Sequence, residues 1–232
     1  MLKAVIYDLD GTLVDSRADL AHAVNASLSS LHLATLPVAR VVSFIGEGAE
    51  LLVRRSLVAA LGAVGRPADE QMRALPEALV RDAMNGWHSN YSAMLLDETR
   101  AYPGIAELLA QPPALRAVLT NKPILYARRI VEGLGFGSAF AIVRGGDEGP
   151  KKPDPRGLLE LCAALGVRPD DALLVGDTRF DVLAGAAAGV RACAVSWGFA
   201  PRAELVQLRP AYLVDSASEL SELLSHLASP DA

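Results

Sequence analysis

The stretch Lys3-Ala4-Val5-Ile6-Tyr7-Asp8-Leu9-Asp10-Gly11-Thr12-Leu13 decides how this chain is read. A short apolar run, Ala4 to Tyr7, ends in a carboxylate, and the Asp-Gly-Thr that follows is turn chemistry. Such a run predicts a strand buried on both faces, as the strands of a parallel sheet are. Residues two apart on an extended chain point the same way, so Asp8 and Asp10 can both reach one site beyond the strand. Two carboxylates at the mouth of a parallel sheet attract a hard cation, and oxygen ligands suit Mg²⁺. An ordinary turn ahead of a helix is the plainer reading of the same residues.

Outward from this stretch the pattern repeats. Ala117 to Leu119, Ala139 to Val143, Ala172 to Val175 and Ala192 to Val195 are further short apolar runs. Segments with apolar spacings of three and four lie between most of them, as in Ala127-Ile130-Val131-Leu134. Strands alternating with helices predict an α/β fold with a mainly parallel sheet, whose ligands sit at the carboxyl ends of the strands. One interval, Ser16 to about Tyr91, reads as helices only. Ser16 with Asp19 fits a helix-start capping pattern, and Leu20, Val24, Leu28 and Leu31 run down one face. Pro37 and Gly46-Glu47-Gly48 punctuate the interval; Leu51, Leu52, Leu57, Val58 and Leu61 resume the period before a turn from Gly62 to Pro67. This predicts a small helical domain over 14–91, inserted in a core of 1–13 and 92–232, with Tyr102-Pro103-Gly104 marking the return. Trp87 and Tyr91 read as packing within the helical domain.

The 232 residues are 51% hydrophobic and 21% charged, which excludes intrinsic disorder. With 22 Lys plus Arg against 27 Asp plus Glu, the net charge of −5 argues against a nucleic-acid binder. An anionic substrate must then be drawn in by local charges. Cys162 and Cys193 stand alone, outside any CxxC pair, and read as buried reduced thiols rather than a disulfide or a zinc site. The opening apolar run is too short for a signal peptide, and Arg191 breaks the longest candidate span, Val182 to Val195. No membrane partner is expected, and the expected location is the cytoplasm.

Three more segments carry chemistry at strand ends. In Val175-Gly176-Asp177-Thr178-Arg179-Phe180-Asp181, Asp177 and Asp181 lie near enough to share a metal, or Asp177 caps the next helix. Leu119-Thr120-Asn121-Lys122-Pro123 offers a hydroxyl, an amide and an ammonium to a phosphate, or else ordinary helix capping. Lys151-Lys152-Pro153-Asp154-Pro155 reads as a basic turn.

Together the four segments resemble, in order and spacing, the motifs of the haloacid dehalogenase superfamily, in its phosphatase branch. Asp8-Leu9-Asp10-Gly11-Thr12 looks like the first motif, Thr120-Asn121-Lys122 the second, Lys152-Pro153 the third, and Gly176-Asp177 through Asp181 the fourth. Phe44-Ile45-Gly46-Glu47-Gly48-Ala49, the run to Pro123, and Gly145-Gly146-Asp147 with Lys151-Lys152-Pro153 look like phosphoglycolate phosphatases. The resemblance implies a Rossmann-like parallel-sheet core with an all-helical cap domain inserted after the first strand. It implies Asp8 as the nucleophile that forms an aspartyl-phosphate and Asp10 as the acid and base. Mg²⁺ would be held by Asp8, the backbone carbonyl of Asp10 and Asp177, with Asp181 ordering a metal-bound water. Thr120 and Asn121 would donate to the phosphoryl oxygens. Lys152, directly before the proline, would balance the charge, in preference to Lys151.

For the substrate the resemblance implies Gly11, Thr12 and the Gly46-Glu47-Gly48 loop. Lys122 either contacts substrate or is solvated. Arg54 and Arg55 either meet a substrate carboxylate or form a solvated helix face. Trp197-Gly198-Phe199, after the last core strand, is placed at the pocket edge, and His22, His32, His88 and His226 are given no catalytic part. Haloacid dehalogenases themselves lack a carboxylate at the position of Asp10, which points to phosphoryl chemistry. The implied activity is Mg²⁺-dependent hydrolysis of a small phosphorylated substrate, 2-phosphoglycolate to glycolate and phosphate, by a monomer or a homodimer. Alternatives are a phosphatase for a sugar phosphate, N-acetylmuramate 6-phosphate or pyrophosphate, a phosphomutase, or a non-catalytic binding module.

Overall fold

The computed structural model describes residues 1–62, 67–111 and 115–229. Most of the turn expected from Gly62 to Pro67 lies outside them. The chain divides into two compact units, Met1–Asp15 with Arg100–Ala232, and Ser16–Thr99. It runs β1 (Ala4–Tyr7), β2 (Val14–Asp15), then α1 (Arg17–Ser30), α2 (Val38–Val42), α3 (Ala49–Ala60), α4 (Ala68–Arg73) and α5 (Glu77–Met94). There follow β3 (Arg100–Ala101), α6 (Ile105–Ala110), β4 (Leu115–Leu119), α7 (Ile124–Gly133), β5 (Ile142–Arg144) and α8 (Arg156–Ala164). The last elements are β6 (Ala172–Gly176), α9 (Arg179–Ala188), β7 (Arg191–Val195), α10 (Arg202–Gln207), β8 (Tyr212–Val214) and α11 (Ala217–Ala228).

The first unit is built on a six-stranded sheet in the order β5-β4-β1-β6-β7-β8, parallel throughout. Strand β1 is central because all four of its residues are buried, which only a strand covered on both faces can achieve. Ala4 and Ile6 face one way and join Ala117, Leu119, Leu158, Leu161, Leu174 and Val190 in a core under α8 and α9. Burying each of the larger aliphatic side chains is worth about 1.5–3 kcal/mol. The order is the doubly wound one: the chain steps outward from β1 on one side, returns, and steps outward on the other.

Some boundaries differ from expectation. The run Ala139 to Val143 splits into a tight helical turn, Gly137–Ala139, and β5 at Ile142–Arg144. Strand β8 extends the sheet beyond β7, so Trp197 does not follow the last core strand. The first unit includes Val14 and Asp15 because β2 pairs antiparallel with β3, Val14 with Ala101 and Asp15 with Arg100. Residues 92–99 fall in the second unit, since α5 continues to Met94.

Helices make up the described regular structure of the second unit. Leu20, Val24 and Leu28 of α1 are buried, as their spacing predicts, while Leu31 is half-buried. A Cβ at Gly86 of α5 would lie 2.8 Å from Ser27 Oγ of α1, so glycine allows the two helices to approach closely. Ser27 Oγ donates to the carbonyl of Ala83 at 2.7 Å. Trp87 and Tyr91 stack 4.9 Å apart and are buried, consistent with their reading as packing. Asp19 does not cap α1. Its carboxylate turns inward, fully buried, and accepts from Glu98 N at 3.0 Å, Thr99 N at 2.8 Å and Thr99 Oγ1 at 2.6 Å. Among the described residues no helix is long and apolar enough to cross a membrane.

Beneath the sheet, Arg168 and then Lys3 hold the Asp171 carboxyl down at about 2, against its usual 3.8. The contacts are 3.1 Å from Arg168 Nε and 3.1 Å from Lys3 Nζ. Folding thus favours the ionised form, and that stabilisation is complete above pH about 4 and lost as the pH falls through about 2. Both cations are largely exposed, so the effect is modest. Asp171→Asn should lower Tm at pH 7 by a few degrees, and the gap to the parent should shrink as thermal melts are taken from pH 4 down to 2. A gap constant across that range would contradict the ion-pair origin.

Candidate active site

The doubly wound order places a crevice where the chain changes direction, between β1 and β6, at the carboxyl ends of the strands. Asp8 follows β1, and its amide donates to Val175 O of β6 at 2.8 Å. Asp177 and Asp181 follow β6, Thr120-Asn121-Lys122 follow β4, and Trp197-Gly198-Phe199 follow β7. The oxygens that Asp8, Asp177 and Asp181 offer lie within 4.8 Å of one another, and all three residues are buried.

Lys152 lies among them, its Nζ 2.9 Å from Asp8 Oδ1 and 2.6 Å from Asp181 Oδ1. Its neighbour Lys151 is exposed. Burial works to lower the Lys152 pKa, but Asp181 and Asp8 more than offset it and hold it above its usual value. Burial pushes Asp8 up to about 6, with Lys152 pulling it down and Asp181 adding to the rise. Asp177 is raised well above the usual carboxylate range by burial and then by the charges of Asp8 and Asp181. The three carboxylates of Asp8, Asp177 and Asp181 share the single ammonium group of Lys152. The excess of two negative charges, offered entirely by oxygen, fits a hard divalent cation.

Each carboxylate is aimed by hydrogen-bond donors, local ones for Asp8 and Asp181 and distant ones for Asp177. Asp8 Oδ1 accepts from Leu9 N at 2.7 Å. Asp181 Oδ2 accepts from Thr178 N at 3.0 Å and Thr178 Oγ1 at 2.7 Å, so Asp181 and Thr178 serve the start of α9. Asp177 takes Thr12 Oγ1 at 3.0 Å and Phe199 N at 2.7 Å instead of a capping role. Two glycines are required around it. A Cβ at Gly11, where φ is +84°, would come 2.1 Å from Asp177 Oδ2, and one at Gly198 would come 2.2 Å from Asp177 Cβ. Trp197 Nε1 closes the arrangement by donating to Thr12 O at 3.1 Å. The sequence reading places Trp197-Gly198-Phe199 at the pocket edge; what it does not supply is the part that Gly198 and the Phe199 amide play against Asp177.

Asp10 pairs with Lys122, whose Nζ lies 2.8 and 3.0 Å from its two oxygens; Lys122 is buried rather than solvated. Thr120 is buried, and its Oγ1 accepts from Lys122 N at 3.2 Å. The Asn121 side chain, expected to face a phosphoryl group, meets the backbone of Lys152. Gly46, Glu47 and Gly48 belong to the second unit, where Gly48 precedes α3 and Glu47 pairs with Arg55. Arg54 pairs with Glu50 and Glu77, so both arginines are matched by carboxylates there.

This constellation agrees with a match of the family model for haloacid dehalogenase-like hydrolases over residues 2–189. The chain belongs to that family. It is 40% identical to the phosphoglycolate phosphatase of Rhodospirillum rubrum, over 97% of this chain and 91% of that protein. It is 38% identical to the phosphoglycolate phosphatase of Nitrosospira multiformis, over 96% of each. Among solved structures it superposes with a TM-score of 0.86 on a predicted phosphoglycolate phosphatase from Haemophilus somnus, 28% identical, covering 96% of this chain and 98% of that one.

The buried surplus of negative charge makes a thermodynamic prediction. Asp177→Asn removes one of the like charges while Asn can still accept from Phe199 N, so in chelator its Tm should exceed that of the parent hydrolase. The parent should gain Tm on adding Mg²⁺ and the variant should gain little. Equal Mg²⁺ shifts for the two proteins in a thermal-shift assay would remove Asp177 from the ligand set.

Proposed function

We propose that this hydrolase is a phosphatase that converts 2-phosphoglycolate to glycolate and phosphate, with Mg²⁺ as its resident cation. The observation that carries the chemistry is the Asp8 carboxylate, held beside Lys152 and within reach of Asp177 and Asp181 at the mouth of the sheet. The substrate rests on the names of relatives 35–40% identical over nearly the whole chain. Asp8, the Asp10 carbonyl and Asp177, supported by Asp181, would hold Mg²⁺, which would supply positive charge against the repulsion between a carboxylate and a phosphate dianion.

In this reading an oxygen of Asp8 attacks phosphorus, the bond to the ester oxygen breaks, and an aspartyl-phosphate forms. Asp10 gives its proton to the departing glycolate oxygen. It then takes one from the incoming water, which attacks phosphorus and releases Asp8. A positioned acid and base contributes about 10²–10⁴ in rate. Lys122 orients the Asp10 carboxylate through both its oxygens. Lys152 balances the charge of Asp8 as the dianion arrives, and Thr120 donates its hydroxyl to a phosphoryl oxygen. Gly11 and Thr12 shape the floor of the site.

Phosphate release should be greatest from 2-phosphoglycolate, at least tenfold in kcat/KM over hexose phosphates, N-acetylmuramate 6-phosphate and pyrophosphate, about 1.4 kcal/mol of discrimination. Chelator should stop it. A different leader in that panel would overturn the substrate and spare the chemistry. Asp8→Asn should abolish turnover while leaving the circular dichroism spectrum unchanged, and substantial residual activity would remove Asp8 as nucleophile. Lys152→Ala should be far more damaging than Lys151→Ala.

A further inference from the structure

Asn121 stands next to Thr120 at the end of β4, yet its carboxamide is turned along the chain. Oδ1 accepts from Lys152 N at 2.8 Å and Nδ2 donates to Lys152 O at 3.0 Å, with both residues buried. Both polar atoms of one side chain thus grip the amide and carbonyl of a single residue. Two bonds of this kind fix the start of the Lys152 side chain in position and in rotation. At the far end of that side chain, Nζ reaches Asp8 and Asp181. A long flexible stem holds its charge in place only if its root is fixed.

The turn that carries Asn121 is itself braced. Gly146 N donates to Lys122 O at 2.8 Å, and a Cβ at Gly146 would lie 2.4 Å from Asn121 O. Asp147 Oδ1 accepts from Ile124 N at 2.7 Å, at the start of α7. The Gly145-Gly146-Asp147 segment, quoted above only for its likeness, has a mechanical part here: it locks the turn from which Asn121 reaches Lys152.

We propose that Asn121 is a positioning residue that acts through Lys152, aiming its ammonium between Asp8 and Asp181, and does not contact the phosphoryl group through its side chain. The proposal rests on the charge-balancing part given to Lys152 above. A misplacement of about 1 Å in such a group costs on the order of 10²-fold in rate.

The test is a double-mutant cycle on the full-length enzyme with Mg²⁺. Asn121→Ala should lower kcat/KM for 2-phosphoglycolate by about 10²-fold when Lys152 is present. In the Lys152→Met background it should cost less than about threefold more, because its route of action is gone. Calorimetric binding of inorganic phosphate gives the same comparison without turnover. Equal losses in the two backgrounds would overturn the proposal in favour of direct contact, and so would a loss below about twofold in the parent. If Asn121→Ala melts below the assay temperature, Asn121→Asp replaces it in the cycle: it is isosteric, keeps the acceptor for Lys152 N and sets an oxygen against Lys152 O. Full activity of Lys152→Met alone would overturn the charge-balancing part itself, and that arm is read separately from the cycle.

Discussion

Negative charge gathered in a dry place is the constraint on which this structure turns. Asp8, Asp177 and Asp181 sit within reach of one another at the carboxyl ends of β1 and β6, and burial makes each ionised carboxylate costly. Such a cluster persists only if every member is aimed and partly compensated, and the donors come both from neighbouring residues and from segments far away in sequence. Thr12 and the Phe199 amide hold Asp177, Thr178 and Lys152 hold Asp181, and Leu9 with Lys152 holds Asp8. The apolar core around β1 supplies the stability from which this strain is met. A parallel sheet suits the task because its strand ends all open on the same side, so four loops can converge without distorting the strands.

Most residues of the candidate site were legible in the sequence because they are tied to strand exits. An apolar run that ends in Asp-x-Asp or in Gly-Asp announces both the strand and the direction of its last side chains. What it could not reveal was the choice among partners. Asp19 sits three residues after Ser16, where local logic assigns it to the helix start, yet Thr99 and Glu98 offer it three donors from 80 residues away. Asn121 sits in a run that reads as phosphate donors, and its grip on Lys152 depends on a loop 31 residues later. The close approach of Gly198 to Asp177 has no local signature at all. Strand β8 was missed for a different reason: three residues, Tyr212 to Val214, are too few to display a period. The domain boundaries shifted because the β2–β3 pair is only two residues long on each side, and its pairing is non-local.

The three hydrogen bonds gathered by Asp19 have an architectural consequence. They join the first turn of α1 to residues 98 and 99, so the helical unit starts and finishes at one place. Just outside it, Asp15 and Arg100 pair as neighbours on β2 and β3. To the sheet, 84 intervening residues are therefore equivalent to the tip of a hairpin. The entropy of closing such a loop grows only with the logarithm of its length. Helices could be added, removed or replaced between residues 19 and 98 without altering a single strand register, which makes the insertion an interchangeable module on a constant base.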